Sequence, residues 1–125
     1  MLTLSVLNDD YSVCQLPPDA PLPHWATAGD LFAVVRTPQE WSAVCRSAQV
    51  PPDVRQDAGW AALVLHGPFE FTLTGILASV LNPLAEAGVG IFALSTFDTD
   101  YVLIKRVNLA RTVSALRTAG HTVQE

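Results

Sequence analysis

Residues 72–105 read TLTGILASVLNPLAEAGVGIFALSTFDTDYVLIK, and this stretch decides the fold. In its first half Leu73, Ile76, Leu77, Val80, Leu81 and Leu84 recur at spacings of 3, 1, 3, 1 and 3. That is one apolar face of a helix, predicted over Thr72–Ala87. Gly88 stands where a left-handed C-terminal cap is needed, and Pro83 removes one backbone bond, so a local kink is expected. In the second half Val89–Phe97 and Tyr101–Lys105 are β-branched and aromatic runs flanking Asp98-Thr99-Asp100, the pattern of a hairpin with a short acidic turn.

Working outward, Trp60–His66 reads as a buried strand that Gly67-Pro68 ends. After the hairpin, Asn108 is placed to cap a second helix carrying Leu109, Val113 and Leu116, which Gly120 ends, and His121–Gln124 supply a closing strand. The order is β-α-β-β-α-β. The fold class is therefore α+β, a ferredoxin-like arrangement of two helices on one face of an antiparallel sheet.

Upstream the texture changes. Seven of the nine prolines fall before residue 56 and break the chain into short pieces. Leu2–Leu7 and Tyr11–Leu16 read as strands joined through Asn8-Asp9-Asp10, a hairpin turn. Leu31–Arg36 reads as a third strand, and Thr37-Pro38-Gln39-Glu40 as the start of a short helix reaching about Arg46. The expected organisation is a smaller first half, residues 1–57, and a complete second half, residues 58–125, in one compact unit. The tryptophans Trp25, Trp41 and Trp60 are expected as core or interface anchors.

Composition narrows the function. With 125 residues, half of them apolar, a separate catalytic domain has no room. Seven Lys and Arg against twelve Asp and Glu leave a net charge of −5, which disfavours nucleic acid and anionic membranes. No stretch is long and apolar enough to span a bilayer, so a cytoplasmic protein is expected. Cys14 and Cys45 lack a CxxC context, and His24, His66 and His121 are scattered, so neither a disulfide framework, a metal nor another cofactor is expected.

Other uses of this topology fail on particular residues. An RNA-binding sheet needs basic flanks beside exposed aromatics, and a phosphatase loop needs an arginine that residues 66–75 lack. A metallochaperone needs paired cysteines in the same loop. Catalysis is not expected: Ser42, Thr74 and Ser95 have no histidine placed by sequence to activate them, and Asp98 and Asp100 have no evident acid partner.

Residues 67–78 and 83–104, with Ser95-Thr96-Phe97-Asp98-Thr99-Asp100-Tyr101 as the most specific part, resemble the bacterial ACT domain proteins related to the CASTOR arginine sensors. Thr37–Cys45 resembles the segment that precedes the ACT domain in that family, so the likeness covers roughly residues 31–120. It implies a degenerate ACT-like half followed by a complete ACT domain, with aspartokinase regulatory regions as more distant relatives. It also implies a non-catalytic sensor of a free amino acid, a homodimer, and a protein partner that reads the bound state.

Physical chemistry points to the same end of the second half. A free amino acid needs backbone N–H donors for its carboxylate and an acceptor for its ammonium. The start of the first predicted helix, at Thr72, Thr74 and Gly75, offers the donors and the positive end of the helix dipole; Asp98 and Asp100 offer the acceptor. By the resemblance, Phe97 packs on the ligand, Asp100 holds a cationic group, and Ser42 with Ala43 and Val44 forms the facing segment. The expected ligand-binding set is Ser42, Ala43, Val44, Leu73, Thr74, Gly75, Ile76, Phe97, Asp98, Thr99 and Asp100. Leu73 stands where the arginine sensors align a ligand-binding carboxylate, which argues against arginine. The alternatives are an acidic turn and plain helix caps in a ligand-free interaction or oligomerisation module.

Overall fold

A computed structural model describes residues 1–70 and 72–125; Phe71, inside the string that carries the resemblance, lies outside the described residues. The strands are β1 (Thr3–Leu16), β2 (Ala33–Arg36), β3 (Trp41–Arg46), β4 (Arg55–Leu65), β5 (Ile91–Ser95), β6 (Asp100–Lys105) and β7 (Thr122–Gln124). The α-helices are α1 (Ile76–Glu86) and α2 (Leu109–Thr118), and three short 3-10 turns complete the regular structure. The chain forms two compact units, Met1–Asn8 with Ala61–Glu125, and Asp9–Trp60.

The first unit has the expected mixed α/β architecture with one addition. Its strands run β7-β1-β4-β6-β5, because β7 pairs in parallel with Thr3–Ser5 of β1. The N-terminal strand therefore sits between the closing strand and β4. This corrects the division after residue 57: Leu4 is fully buried in the same core as Val123, so the first eight residues belong with the second half. That core takes every second residue of β4 (Ala61, Leu63, Leu65) and of β6 (Val102, Ile104). Val80 and Leu84 of α1 and Val113 and Leu116 of α2 close over it. Burying a side chain of this size is worth about 1.5–3 kcal/mol, so these residues hold the unit together.

Both helices end alike. Gly88 takes φ +74° and Gly120 φ +98°, and Val89 and His121 donate back to Leu84 and Leu116, the six-to-one bond of a Schellman cap. The start of α1 differs from the expectation over Thr72–Ala87. Gly75 has φ +77°, which a right-handed helix cannot contain, so α1 begins at Ile76 and Leu73 instead closes a turn onto Glu70. Pro83 lies inside α1 as expected.

The second unit corrects two expectations. Residues 8–10 do not turn: β1 runs unbroken from Thr3 to Leu16, pairing with β7 early and with β3 over Tyr11–Leu16. The polar Asn8, Asp9 and Asp10 are exposed, where an extended strand keeps them solvated. Residues 37–46 do not form a helix either. Thr37 accepts the N–H groups of Gln39 and Glu40 on its hydroxyl, at 3.2 Å each, and its own N–H bonds the Glu40 carbonyl at 2.8 Å. The chemistry read as a helix cap thus builds a hairpin turn, and Trp41–Arg46, aromatic and β-branched, leaves it as β3. Cys14, Ala26 and Ala43 form the small core of this unit, with Trp25, Val34, Val50 and Val54 packed on it.

Candidate functional site

The connection from β4 to α1 and the β5–β6 hairpin meet in the first unit. Phe69 donates its N–H to the Asp98 carbonyl at 2.7 Å, and the Thr99 hydroxyl donates to the Leu65 carbonyl at 2.6 Å. Gly67 permits the approach: a Cβ there would stand 2.7 Å from the Asp98 carbonyl oxygen. Within the hairpin, Ser95 pairs with Asp100 and the Thr96 N–H bonds the Thr99 carbonyl at 2.8 Å, so the tip is Phe97-Asp98. The expected turn at Asp98-Thr99-Asp100 is therefore displaced toward the N-terminus, and Asp100 belongs to β6. Thr96 and Thr99 explain the shift. The Thr96 hydroxyl accepts the Thr99 N–H and donates to the Thr99 carbonyl, both at 3.2 Å, a local closure that needs a hydroxyl at position 96, while the Thr99 hydroxyl is used on Leu65.

Between these segments is a cavity of about 170 Å³, lined by Phe69, Glu70, Leu73, Ile76 and the hairpin residues Ser95 to Asp100. It is far smaller than the roughly 300–1,000 Å³ of pockets that take drug-sized molecules. Among the described residues its walls carry the carboxylates of Glu70, Asp98 and Asp100 and no basic side chain. Ser95 donates its hydroxyl to Asp100, and Thr72 donates to Glu70 at 3.4 Å, so two of the three carboxylates are oriented by neighbours. Beside them α1 begins. No described side chain caps it, and its first amides are left to solvent or to a bound group. Phe97 and Leu73 are 78% and 52% exposed, apolar surface at the mouth of the cavity.

Of the residues singled out from sequence, Leu73, Ile76, Phe97, Asp98, Thr99 and Asp100 meet around this cavity. Thr74 and Gly75 are exposed in the connection just before α1 and are not among its lining. Ser42, Ala43 and Val44 lie in β3 of the other unit, where each pairs with both β1 and β2, and Ala43 and Val44 are buried. Phe69, Glu70, Ser95 and Thr96 line the cavity without having been singled out as ligand contacts. Glu70 was legible as the acidic residue nearest the predicted helix start. Ser95 was legible through a hairpin register that pairs it with Asp100.

The ACT domain model matches residues 55–118, which contain the cavity and both helices. The chain belongs to the ACT domain family. A separate N-terminal domain model matches residues 9–53 of this ACT protein, most of its second unit. The ACT protein is 40% identical to protein Atu0741 from Agrobacterium tumefaciens, whose crystal structure superposes with a TM-score of 0.92 over 98% of this chain and 91% of that one. It is 14% identical to the regulatory subunit of aspartate kinase from Thermus thermophilus, in its ligand-free form, with a TM-score of 0.64 over 91% and 94% of the two chains. The human protein CASTOR3P is 30% identical over an alignment of 91 residues that covers 62% of this chain and 56% of that relative's length. No α-helix among the described residues is long and apolar enough to cross a membrane.

Proposed function

We propose that this ACT protein is a non-catalytic regulatory protein that binds a free amino acid in the cavity lined by Phe69, Glu70, Leu73, Ile76 and the β5–β6 hairpin. The observation that carries the reading is the pairing of a carboxylate-lined cavity of about 170 Å³ with the uncapped start of α1. A zwitterion matches that polarity. Its carboxylate faces the first amides of α1, and its ammonium faces Asp98 and Asp100. Ile76, Leu73 and Phe97 flank the side chain, Thr99 lines the hairpin wall, and Thr74 and Gly75 lead into the start of α1. Ser42, Ala43 and Val44, paired on both sides within β3, are left out of the site in this reading.

The test is thermal unfolding of the purified chain with each of the twenty amino acids at millimolar concentration. A ligand at 100 times its Kd stabilises the folded state by about 2.7 kcal/mol, a rise in Tm of about 10 °C for a domain this size. A shift confined to one or a few chemically related amino acids supports the sensor reading. No shift with any of them refutes it. The second reading, a ligand-free interaction module that forms a homodimer or docks a regulated protein, is favoured by the exposure of Phe97 and Leu73. It predicts that Phe97→Ser alters the sedimentation coefficient, whereas the sensor reading predicts that it weakens only the thermal shift.

A further inference from the structure

Cys14 and Cys45 stand 31 positions apart in sequence and share no motif, yet the fold brings them together. The register of β1 with β3 sets Cys14 opposite Ala43 and Ser12 opposite Cys45, so the two cysteines are diagonal neighbours on one face of the strand pair. Both are free thiols, 1% and 0% exposed, and each perturbs the ionisation of the other. Diagonal Cα atoms of a flat pair stand about 7–8 Å apart, and sheet twist shortens one of the two diagonals toward the roughly 4.4–6.8 Å that a disulfide needs. A pair on the shorter diagonal falls within that reach.

We propose that Cys14 and Cys45 are a reversible modification site, an internal dithiol that hydrogen peroxide converts to a disulfide within the Asp9–Trp60 unit. Cys45 is the attacking sulfur. The neighbouring Cys14 thiol and the positive charge of Arg46, the next residue along β3, together hold its pKa below the usual thiol value against the opposing effect of burial. Arg46 is itself fixed by a 2.6 Å bond from its Nε to Gln49. Cys14 is pushed far above the usual range by the neighbouring Cys45 thiol, by burial and by the charge on Cys45, so it keeps its proton until the second step.

In the first step the Cys45 thiolate attacks one peroxide oxygen. The O–O bond breaks, hydroxide departs, and Cys45 becomes a sulfenic acid. In the second step the Cys14 sulfur attacks the Cys45 sulfur, the S–S bond forms as the S–O bond breaks, and the Cys14 proton leaves with the departing oxygen. The balance is two thiols and one peroxide to one disulfide and two waters. Burial makes the first step slow, since a water-sized oxidant must enter through local opening of the strand pair. It also excludes larger oxidants and the thiols of other proteins.

The experiment treats the folded full-length chain with hydrogen peroxide, denatures it, alkylates it and weighs it. The expected product has lost two hydrogens, takes no alkyl group at either cysteine, and regains both sites after dithiothreitol. Cys14→Ser is expected to stop at a Cys45 sulfenic acid that dimedone captures, and Cys45→Ser is expected to leave Cys14 reduced at the same dose. Two alkylated cysteines after peroxide, a covalent dimer, or added oxygen in place of the internal bond overturns the proposal in the wild-type chain, whatever the variants do. Equal oxidation of the two variants overturns the assignment of Cys45 as the attacking sulfur.

Discussion

Pro83 and His121 are 38 positions apart, and the structure makes the second repair what the first removes. A residue at position 83 with a backbone N–H would bond the Ser79 carbonyl; proline has none, and the carbonyl is left open in the middle of α1. His121, 7% exposed at the end of α2, places Nε2 at 2.8 Å from that carbonyl. A carbonyl only accepts, so Nε2 carries the proton and Nδ1 accepts the Leu2 N–H at 3.1 Å. One neutral imidazole thus ties α1, the start of β1 and the approach to β7. His121→Leu keeps the volume and strands two partly buried groups at about 1–3 kcal/mol each. The expected loss, allowing for water at the partly exposed Leu2 and Ser79, is about 2–4 kcal/mol. In a Pro83→Ala background the new N–H bonds Ser79, and the same His121→Leu substitution is expected to cost less by about 1–2 kcal/mol. Urea unfolding of the four proteins at 25 °C measures that coupling. Additivity within about 0.3 kcal/mol would refute the repair, since unlinked sites add to that precision.

The remaining expectations concern the cavity. Gly67→Ala sets a Cβ 2.7 Å from the Asp98 carbonyl oxygen and is expected to cost about 1–3 kcal/mol while shifting the amide resonances of the hairpin tip. Gly75→Ala forces φ +77° on a residue with a side chain; a loss of about 1–2 kcal/mol, read by urea unfolding, is the expected result. Asp100→Ala removes only the acceptor of a Ser95 bond on the surface, so stability is expected to fall by less than about 1 kcal/mol. The ligand-induced thermal shift, however, is expected to vanish; an undiminished shift would remove Asp100 from the site.

What the sequence discloses here follows from how far each interaction reaches along the chain. The helical stripe from Ile76 to Leu84, the hairpin runs and the glycines at positions 88 and 120 are written within a few residues of the structure they make, and each element appears where it is expected to within a few positions. Local polar chemistry was the misleading part. Asn8-Asp9-Asp10 and Thr37-Pro38-Gln39-Glu40 carry turn and cap signals that suit more than one backbone, and pairing decided between them: β3 and β7 hold β1 straight, and the Thr37 hydroxyl caps a hairpin turn as readily as a helix. The start of α1 moved to Ile76 for a third reason, a single positive φ at Gly75, which periodicity cannot see because glycine has no side chain to place on either face.

Half of the cavity was visible in the same local way, since Phe97 to Asp100 lie in one hairpin and Leu73 to Ile76 in one helix start. The meeting of those two segments depends on Gly67 and on the bonds from Phe69 to Asp98 and from Thr99 to Leu65, which join residues 29 and 34 positions apart. Pro83 with His121 and Cys14 with Cys45 are invisible for the same reason: each pair is chemically ordinary until the register of strands and the packing of helices close the distance. A proline in a helix and a cysteine in a strand are therefore incomplete observations. The question each raises, where the orphaned carbonyl or the thiol finds its partner, is answered only in the folded chain, and in both cases the partner lies in an element that periodicity treats as unrelated.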